Sequence, residues 1–223
     1  MFFPNRVQFL STYHRQCFAL PDPIMEYIAK NPEFAELYQK LIESCKYFFI
    51  KNPILVIHDL RYNNGNGWEM RSLISDDWKK VDMKKLSCKL WITGSVNVIA
   101  TTSDDKNALS LIIPKIDECQ AESLDLFGQD IFYEELDILG TFAKDVYLYG
   151  SVVKYQNGKN VELEKIVQVF PEATDIFFVF IKTNKHTRIR LEFAETISEA
   201  YNARLNAVVD EILEIEESDY TLD

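Results

Sequence analysis

Turn-forming residues are scarce in this sequence. Glycine and proline number only 7 each among 223 residues, which excludes collagen-like, low-complexity and linker-dominated chains. Cysteine is also sparse: Cys17, Cys45, Cys88 and Cys119 are widely spaced and never form Cys-x-x-Cys. That pattern is not a disulfide framework, so reduced and mostly buried thiols are expected, as in the cytoplasm or nucleus. Long hydrophobic runs are missing. Ile54-Leu55-Val56-Ile57 is far too short to span a bilayer, and Met1 to Arg6 does not read as a secretory signal. Membrane partners are not expected.

Catalytic and ligand motifs are equally thin. His14, His58 and His186 have no second His or Cys at metal-ligand spacing. There is no Gly-x-Ser-x-Gly, no phosphate loop and no His-Glu-x-x-His. Gly65-Asn66-Gly67 lacks the third glycine and the following helix of a dinucleotide site. The pairs Asp76-Asp77 and Glu134-Glu135 read as surface acids. A non-enzymatic chain without cofactor or metal is the expectation.

Positive charge is in deficit. The net charge is −11, which disfavours nucleic acid as a partner. Much of the excess lies at one end, where Asp210, Glu211, Glu214, Glu216, Glu217, Asp219 and Asp223 occur with no basic residue among them. They read as a solvated helix end and tail. Lys79, Lys80, Lys84, Lys85 and Lys89 are interleaved with Asp76, Asp77 and Asp82, again a solvated face.

What the sequence does have is core-forming material. It is 47% hydrophobic, with 15 Phe and 11 Tyr, enough for a sizeable core. Residues 1–19 carry no assignable pattern. Pro21-Asp22-Pro23 then sets up a helix with Ile24, Met25, Ile28 and Ala29 at helical spacing, interrupted by Asn31-Pro32. A second helix places Phe34, Leu37, Tyr38, Leu41, Ile42, Cys45, Phe48 and Phe49 on its apolar face and ends at Asn52-Pro53. Cys45 on that stripe reads as a packing thiol rather than a nucleophile. Trp68, Trp78 and Trp91 read as core or loop packing.

The rest alternates strands and helices. Ile54 to Leu60 reads as a strand, followed by a turn-rich loop from Arg61 to Trp68. Leu90-Trp91-Ile92-Thr93-Gly94, Leu124-Asp125-Leu126-Phe127-Gly128 and Val146-Tyr147-Leu148-Tyr149-Gly150 share one pattern: a short strand closed by glycine. Helix candidates follow at Ala108–Cys119, Ile131–Phe142 and Leu163–Phe170, with a break expected at Pro114. Asn157-Gly158 marks a tight hairpin. Strands at Ile176–Phe180 and Arg188–Phe193 precede a final helix opened by Thr196-x-x-Glu199. The strand motifs recur at roughly 20–35 residues, the range of stacked strand–helix repeats. An ordinary α/β layer is the alternative.

Two stretches carry a family resemblance. Leu20-Pro21-Asp22-Pro23-Ile24-Met25-Glu26-Tyr27-Ile28 resembles the opening of an F-box. Leu37 to Phe49, ending in Cys45-Lys46-Tyr47-Phe48-Phe49, resembles its second half. With the blocks Asn157 to Ile166 and Ile197 to Leu205, the whole is similar to the divergent nematode F-box-like proteins. That resemblance implies an α/β fold: a small N-terminal helical segment, then an irregular leucine-rich-repeat-like strand–helix stack. It implies a substrate adaptor of a cullin–RING ubiquitin ligase, docking a Skp-type linker through Leu20, Pro21, Ile24, Ile28, Leu37 and Leu41. An unknown target protein would sit on the stack. The corresponding divisions are 16–52 for the F-box-like helices, 53–88 for a connecting strand and loop, and 89–223 for the stack, last helix and acidic tail. The other reading is a stand-alone interaction or structural protein with a degenerate F-box.

Overall fold

A computed structural model describes Ser11, Tyr13, His14, residues 17–182 and residues 185–192. The expected final helix and acidic tail lie outside the described residues. Three helices open the described chain: α1 (Asp22–Lys30), α2 (Ala35–Ser44) and α3 (Lys46–Lys51). Pro23 occupies the first turn of α1, where its missing N–H is not needed. The Asn31 side chain and N–H both bond back to the Tyr27 carbonyl and stop the helix. The long second helix expected up to Asn52 is instead two. Cys45 adopts an extended conformation between α2 and α3, and its sulfur accepts from Tyr47 N–H. The break turns Phe48 into the interior.

A single large sheet follows. Its strands are β1 (Ile54–Asn63), β2 (Gly67–Ser72), β3 (Ser75–Lys80), β4 (Lys89–Ile99), β5 (Ile116–Cys119), β6 (Ser123–Phe127), β8 (Asp145–Tyr149), β10 (Asp175–Lys182) and β11 (Lys185–Glu192). Between them lie α4 (Ala108–Ile112), β7 (Asp130–Phe132), α5 (Tyr133–Gly140), β9 (Val152–Lys154) and α6 (Leu163–Gln168). The main path runs β11-β10-β8-β6-β4-β1-β2-β3, with β5 beside the first half of β4. The chain is thus a mixed α/β fold. Residues 53–88, expected to hold one strand and a loop, hold three strands that form an antiparallel meander at one edge. At the other edge β11 folds back antiparallel on β10.

Between those edges β4, β6, β8 and β10 lie side by side in chain order, all parallel. Two complete units, β6-β7-α5 and β8-β9-α6, repeat the same path. Their second strands, β7 and β9, pair in parallel as a small separate sheet. Val96, Leu124, Val146 and Ile176 share one row across the four strands, and all are fully buried. A row of this kind buries each strand's apolar face against its neighbours and the helices behind, which no single unit could do alone.

The structure corrects the alignment of the first strand motif. Val96, not Leu90, stands beside Leu124, while Leu90 pairs with Ile116 of β5. Gly94 is not a turn glycine. It sits inside β4 opposite an irregularity of β1, and a Cβ there would fall 1.9 Å from the His58 ring. Ala100 holds the place equivalent to Gly128 and Gly150. Their N–H groups each donate to the next strand, to the carbonyls of Phe127, Tyr149 and Val179.

The expected helix at 108–119 ends early for the reason anticipated. Pro114 removes a helical donor, and the chain passes through a 3₁₀ turn into β5. The expected helix at 131–142 starts later, because Asp130–Phe132 is taken up by β7.

Two cores result. The main one lies between the sheet and α4–α6. The second lies on the opposite face, where Ile54, Val56 and Trp91 alternate with Leu55, Ile57, Leu90 and Ile92. Met25, Ala29, Ala35, Tyr38, Cys45 and Phe48 close it. The Tyr38 hydroxyl donates to the Asn52 carbonyl, and burial pushes its pKa up.

Gly128 has φ +66° and a Cβ there would lie 2.7 Å from the Ala100 carbonyl oxygen, whereas Gly158 has φ +80° with open space around it. Gly128→Ala is therefore expected to cost about 2–3 kcal/mol and Gly158→Ala about 1 kcal/mol, read as unequal losses of midpoint in urea unfolding.

Candidate partner-docking surfaces

Two surfaces stand out, and both follow from how the helices and strands divide their side chains. On α1, Met25 and Ala29 face inward. Leu20, Ile24 and Tyr27, spaced one helical turn apart, face outward at 48%, 47% and 69% exposure. On α2, Ala35 and Tyr38 face inward, while Phe34 and Leu37 remain 62% and 51% exposed. Such apolar side chains do not stay in water for stability's sake. The Glu26–Lys30 ion pair, 2.9 Å apart, lies on α1 beside them.

Of the six residues expected to dock a partner, four are therefore exposed: Leu20, Pro21, Ile24 and Leu37. Ile28 and Leu41 are not free in the same way, because both pack against the second core. Tyr27 and Phe34 were missed as candidates. Their exposure depends on which helix faces the sheet takes, and that is decided by Ile54, Val56 and Trp91.

The second surface is the face of the sheet not covered by α4–α6. From β4 onward its outward rows are set by register. Ser95, Ser123, Asp145 and Asp175 form one row. Asn97, Asp125, Tyr147 and Phe177 form the next, and Ile99, Phe127, Tyr149 and Val179 the third, which is covered at its β10 end, where Val179 is 1% exposed. Phe127 and Tyr149 stack with centroids 4.6 Å apart and planes 9° from parallel. Tyr147 and Phe177 meet at 6.2 Å. Asn97 Nδ2 donates to Asp125 at 3.0 Å, yet burial still raises the Asp125 pKa. The alternation of outward Asp125, Phe127, Tyr147 and Tyr149 with buried leucines and valines was visible in the sequence. Which face the helices would leave open was not.

At the meander edge the same face is held by ion pairs. Asp59 is 3% exposed and receives Arg71, while Ser95 Oγ donates to it at 2.6 Å. His58 Nδ1 lies 3.0 Å away. Burial alone would raise the Asp59 pKa, but the contacts from Ser95, His58 and Arg71 together outweigh it and leave it lowered. Arg61 bonds the buried Glu69 at 2.9 Å and covers the Trp78 ring at 3.8 Å. Trp91 is buried in the second core, and Trp68 packs on Tyr62 with centroids 5.0 Å apart.

An open groove of about 610 Å³ separates α2 from the loops that lead into β6, β8 and β10. Glu36, Glu122, Glu172, Lys144 and Phe142 line it. Lys144 is held by Glu122 at 2.7 Å, which raises its pKa.

Among the described residues, no group of three or more His, Cys, Asp or Glu is placed to hold a metal ion. None of their helices is long and apolar enough to cross a membrane. Cys45, Cys88 and Cys119 are buried free thiols and Cys17 is an exposed one. Burial pushes Cys119 up to about 11, the opposite of nucleophile activation. No protein family, curated protein or solved structure matches this chain.

The two sheet aspartates are expected to respond oppositely to loss of charge. Asp59 has a lowered pKa, so its contribution is present above the unfolded value of about 4 and is lost as pH falls through the folded one. Asp59→Asn should cost about 2–3 kcal/mol at pH 7, since Arg71 loses its buried partner. Asp125 has a raised pKa, so its charged form opposes folding at pH 7. Asp125→Asn should leave stability equal or higher, as urea unfolding at pH 7 and pH 4 will show.

Proposed function

We propose that the chain is a non-enzymatic protein-interaction adaptor of the F-box type. Its N-terminal helices dock a Skp-type linker of a cullin–RING ubiquitin ligase, and the open face of its strand stack holds a protein to be ubiquitinated. Such a role places it in the cytoplasm or nucleus. One observation carries the reading: Leu20, Ile24 and Leu37 point away from the second core while their helices are fixed by Met25, Ala29 and Tyr38. The helices thus offer a preformed apolar surface with no ordering of the backbone left to be done on binding.

The magnitudes favour a partner that uses all of it. Each of these half-exposed side chains gains about 1–1.5 kcal/mol on burial. Together with Tyr27 and Phe34 they supply roughly 5–8 kcal/mol before association costs, so each contact should matter to affinity.

A second reading has an observation of its own. The helices share a core with Ile54, Val56 and Trp91, as expected of a stand-alone interaction protein whose F-box-like segment has become part of the fold. The two readings separate on binding.

Ile24→Lys combined with Leu37→Lys is expected to weaken capture of a Skp-type linker at least about thirtyfold, with the melting temperature unchanged because both side chains are half exposed. Ile28→Lys with Leu41→Lys would lower the melting temperature as well, since these two pack inward. A wild-type chain that fails to bind the linker leaves the stand-alone reading. Deleting residues 16–52 should in either case lower the melting temperature by uncovering Ile54, Val56 and Trp91.

A further inference from the structure

We infer that Asn66 is a site of spontaneous modification, where the side-chain amide is lost by attack of the Gly67 nitrogen and aspartate or isoaspartate is left at the tip of the β1–β2 hairpin. The inference stands on the hairpin alone and is independent of any partner.

The reaction needs an asparagine amide, a following backbone nitrogen that is sterically open, and freedom for the two to meet. Glycine meets the second need, because it has no Cβ beside the attacking nitrogen. The chain has three Asn-Gly pairs, Asn64-Gly65, Asn66-Gly67 and Asn157-Gly158, and all three asparagines are exposed. Hydrogen bonding is what separates them. Asn64 is held at both ends of its amide: Nδ2 donates to Thr102 Oγ1 at 3.2 Å, and Oδ1 accepts from Thr101 N–H at 3.3 Å. Asn157 Oδ1 accepts from Lys159 N–H at 3.0 Å, and the Gly158 nitrogen that would attack donates to the Tyr155 carbonyl at 2.8 Å. The Asn66 amide has no hydrogen-bond partner among the described residues; its backbone N–H alone is engaged, by Asn63 Oδ1 at 2.8 Å. Gly67 is the end rung of the β1–β2 pairing, opposite Asn63, where opening costs least. No atom lies within 4 Å of the place a Gly67 Cβ would take, so a ring formed there has room.

The Gly67 nitrogen, having lost its proton to hydroxide, bonds to Asn66 Cγ. The Cγ–Nδ2 bond breaks and ammonia departs, which leaves a five-membered succinimide. Water then opens either ring carbonyl. One opening gives aspartate, and the other gives isoaspartate, whose main chain runs through the former side chain. Both products carry one more negative charge at pH 7. No oxidant or reductant is consumed. The two hydrogen bonds that must break at Asn64, and the two at Asn157, should each retard those sites by about thirtyfold relative to Asn66.

Incubation of the purified full chain at pH 7, followed by tryptic digestion and tandem mass spectrometry, tests this. Residues 62–71 hold Asn64 and Asn66 in one peptide, and residues 155–159 hold Asn157 in another. Asn66 is expected to convert about thirtyfold faster than either of the others. Asn66→Gln should abolish the fast acidic product with the melting temperature unchanged. Thr102→Val releases one end of the Asn64 amide and should speed that site about fivefold. In urea the three sites share only their dipeptide and should react at comparable rates. The inference is overturned if Asn66 stays intact, or if Asn64 or Asn157 keeps pace with it in the folded chain. It is also overturned if the same order persists in urea, or if Thr102→Val leaves Asn64 as slow as before.

Discussion

The stack depends on how each unit turns its corner. A parallel strand that ends must redirect its backbone without leaving buried polar groups unpaired. Here the corner after β6 is built by Gly128 and Gln129, and the corner after β8 by Gly150 and Ser151. Gln129 is wholly buried. Its Oε1 accepts from Leu109 N–H at 3.1 Å and its Nε2 donates to the Asp105 carbonyl at 3.2 Å. Ser151 Oγ accepts from Gln129 N–H at 3.0 Å and donates to the Leu126 carbonyl at 2.8 Å. Two side chains, Gln129 and Ser151, thereby tie three successive layers of the chain together. The left-handed glycines let each strand bend into the short second sheet without strain.

The distribution of exposed apolar side chains follows from the two-sided sheet this produces. Helices α4–α6 and their loops cover one face along its length. The N-terminal helices cover the other face only over Ile54, Val56 and Trp91. Among the described residues, the remainder of that face consists of outward rows in which Asp125, Phe127, Asp145 and Tyr147 are at least partly exposed. The apolar side chains that α1 and α2 do not spend on the sheet are left pointing outward. The exposed apolar side chains of α1 and α2 and the outward aromatic rows of β6 and β8 therefore arise from one packing choice.

The sequence was most informative where a pattern repeats in one phase. The strands β6 and β8, the break at Pro114 and the turn at Asn157-Gly158 follow directly from alternation and from proline and glycine chemistry. The helices between Asp22 and Lys51 were legible, and of the candidate docking residues Leu20, Pro21, Ile24 and Leu37 prove exposed. The other two candidates, Ile28 and Leu41, are partly buried against the second core, because an apolar helix stripe does not say how much of it the rest of the chain will cover. The same limit produced the misaligned first strand. Leu90-Trp91-Ile92-Thr93-Gly94 matches the motif locally, but β4 is long and pairs with β5 before it reaches β6. Only the neighbouring strand reveals which half of it belongs to the row. Buried charge was invisible for a like reason: nothing in the sequence singles out Asp59 and Glu69 until register places Arg71 and Arg61 opposite them.

The restriction of α1–α3 to the first strand pair has an evolutionary consequence. Whole turns of the coil could be gained or lost beyond β6 without disturbing the end that bears Leu20, Ile24 and Leu37. The two ends of the sheet are in this sense built independently, one by helix packing and the other by repetition of strand units.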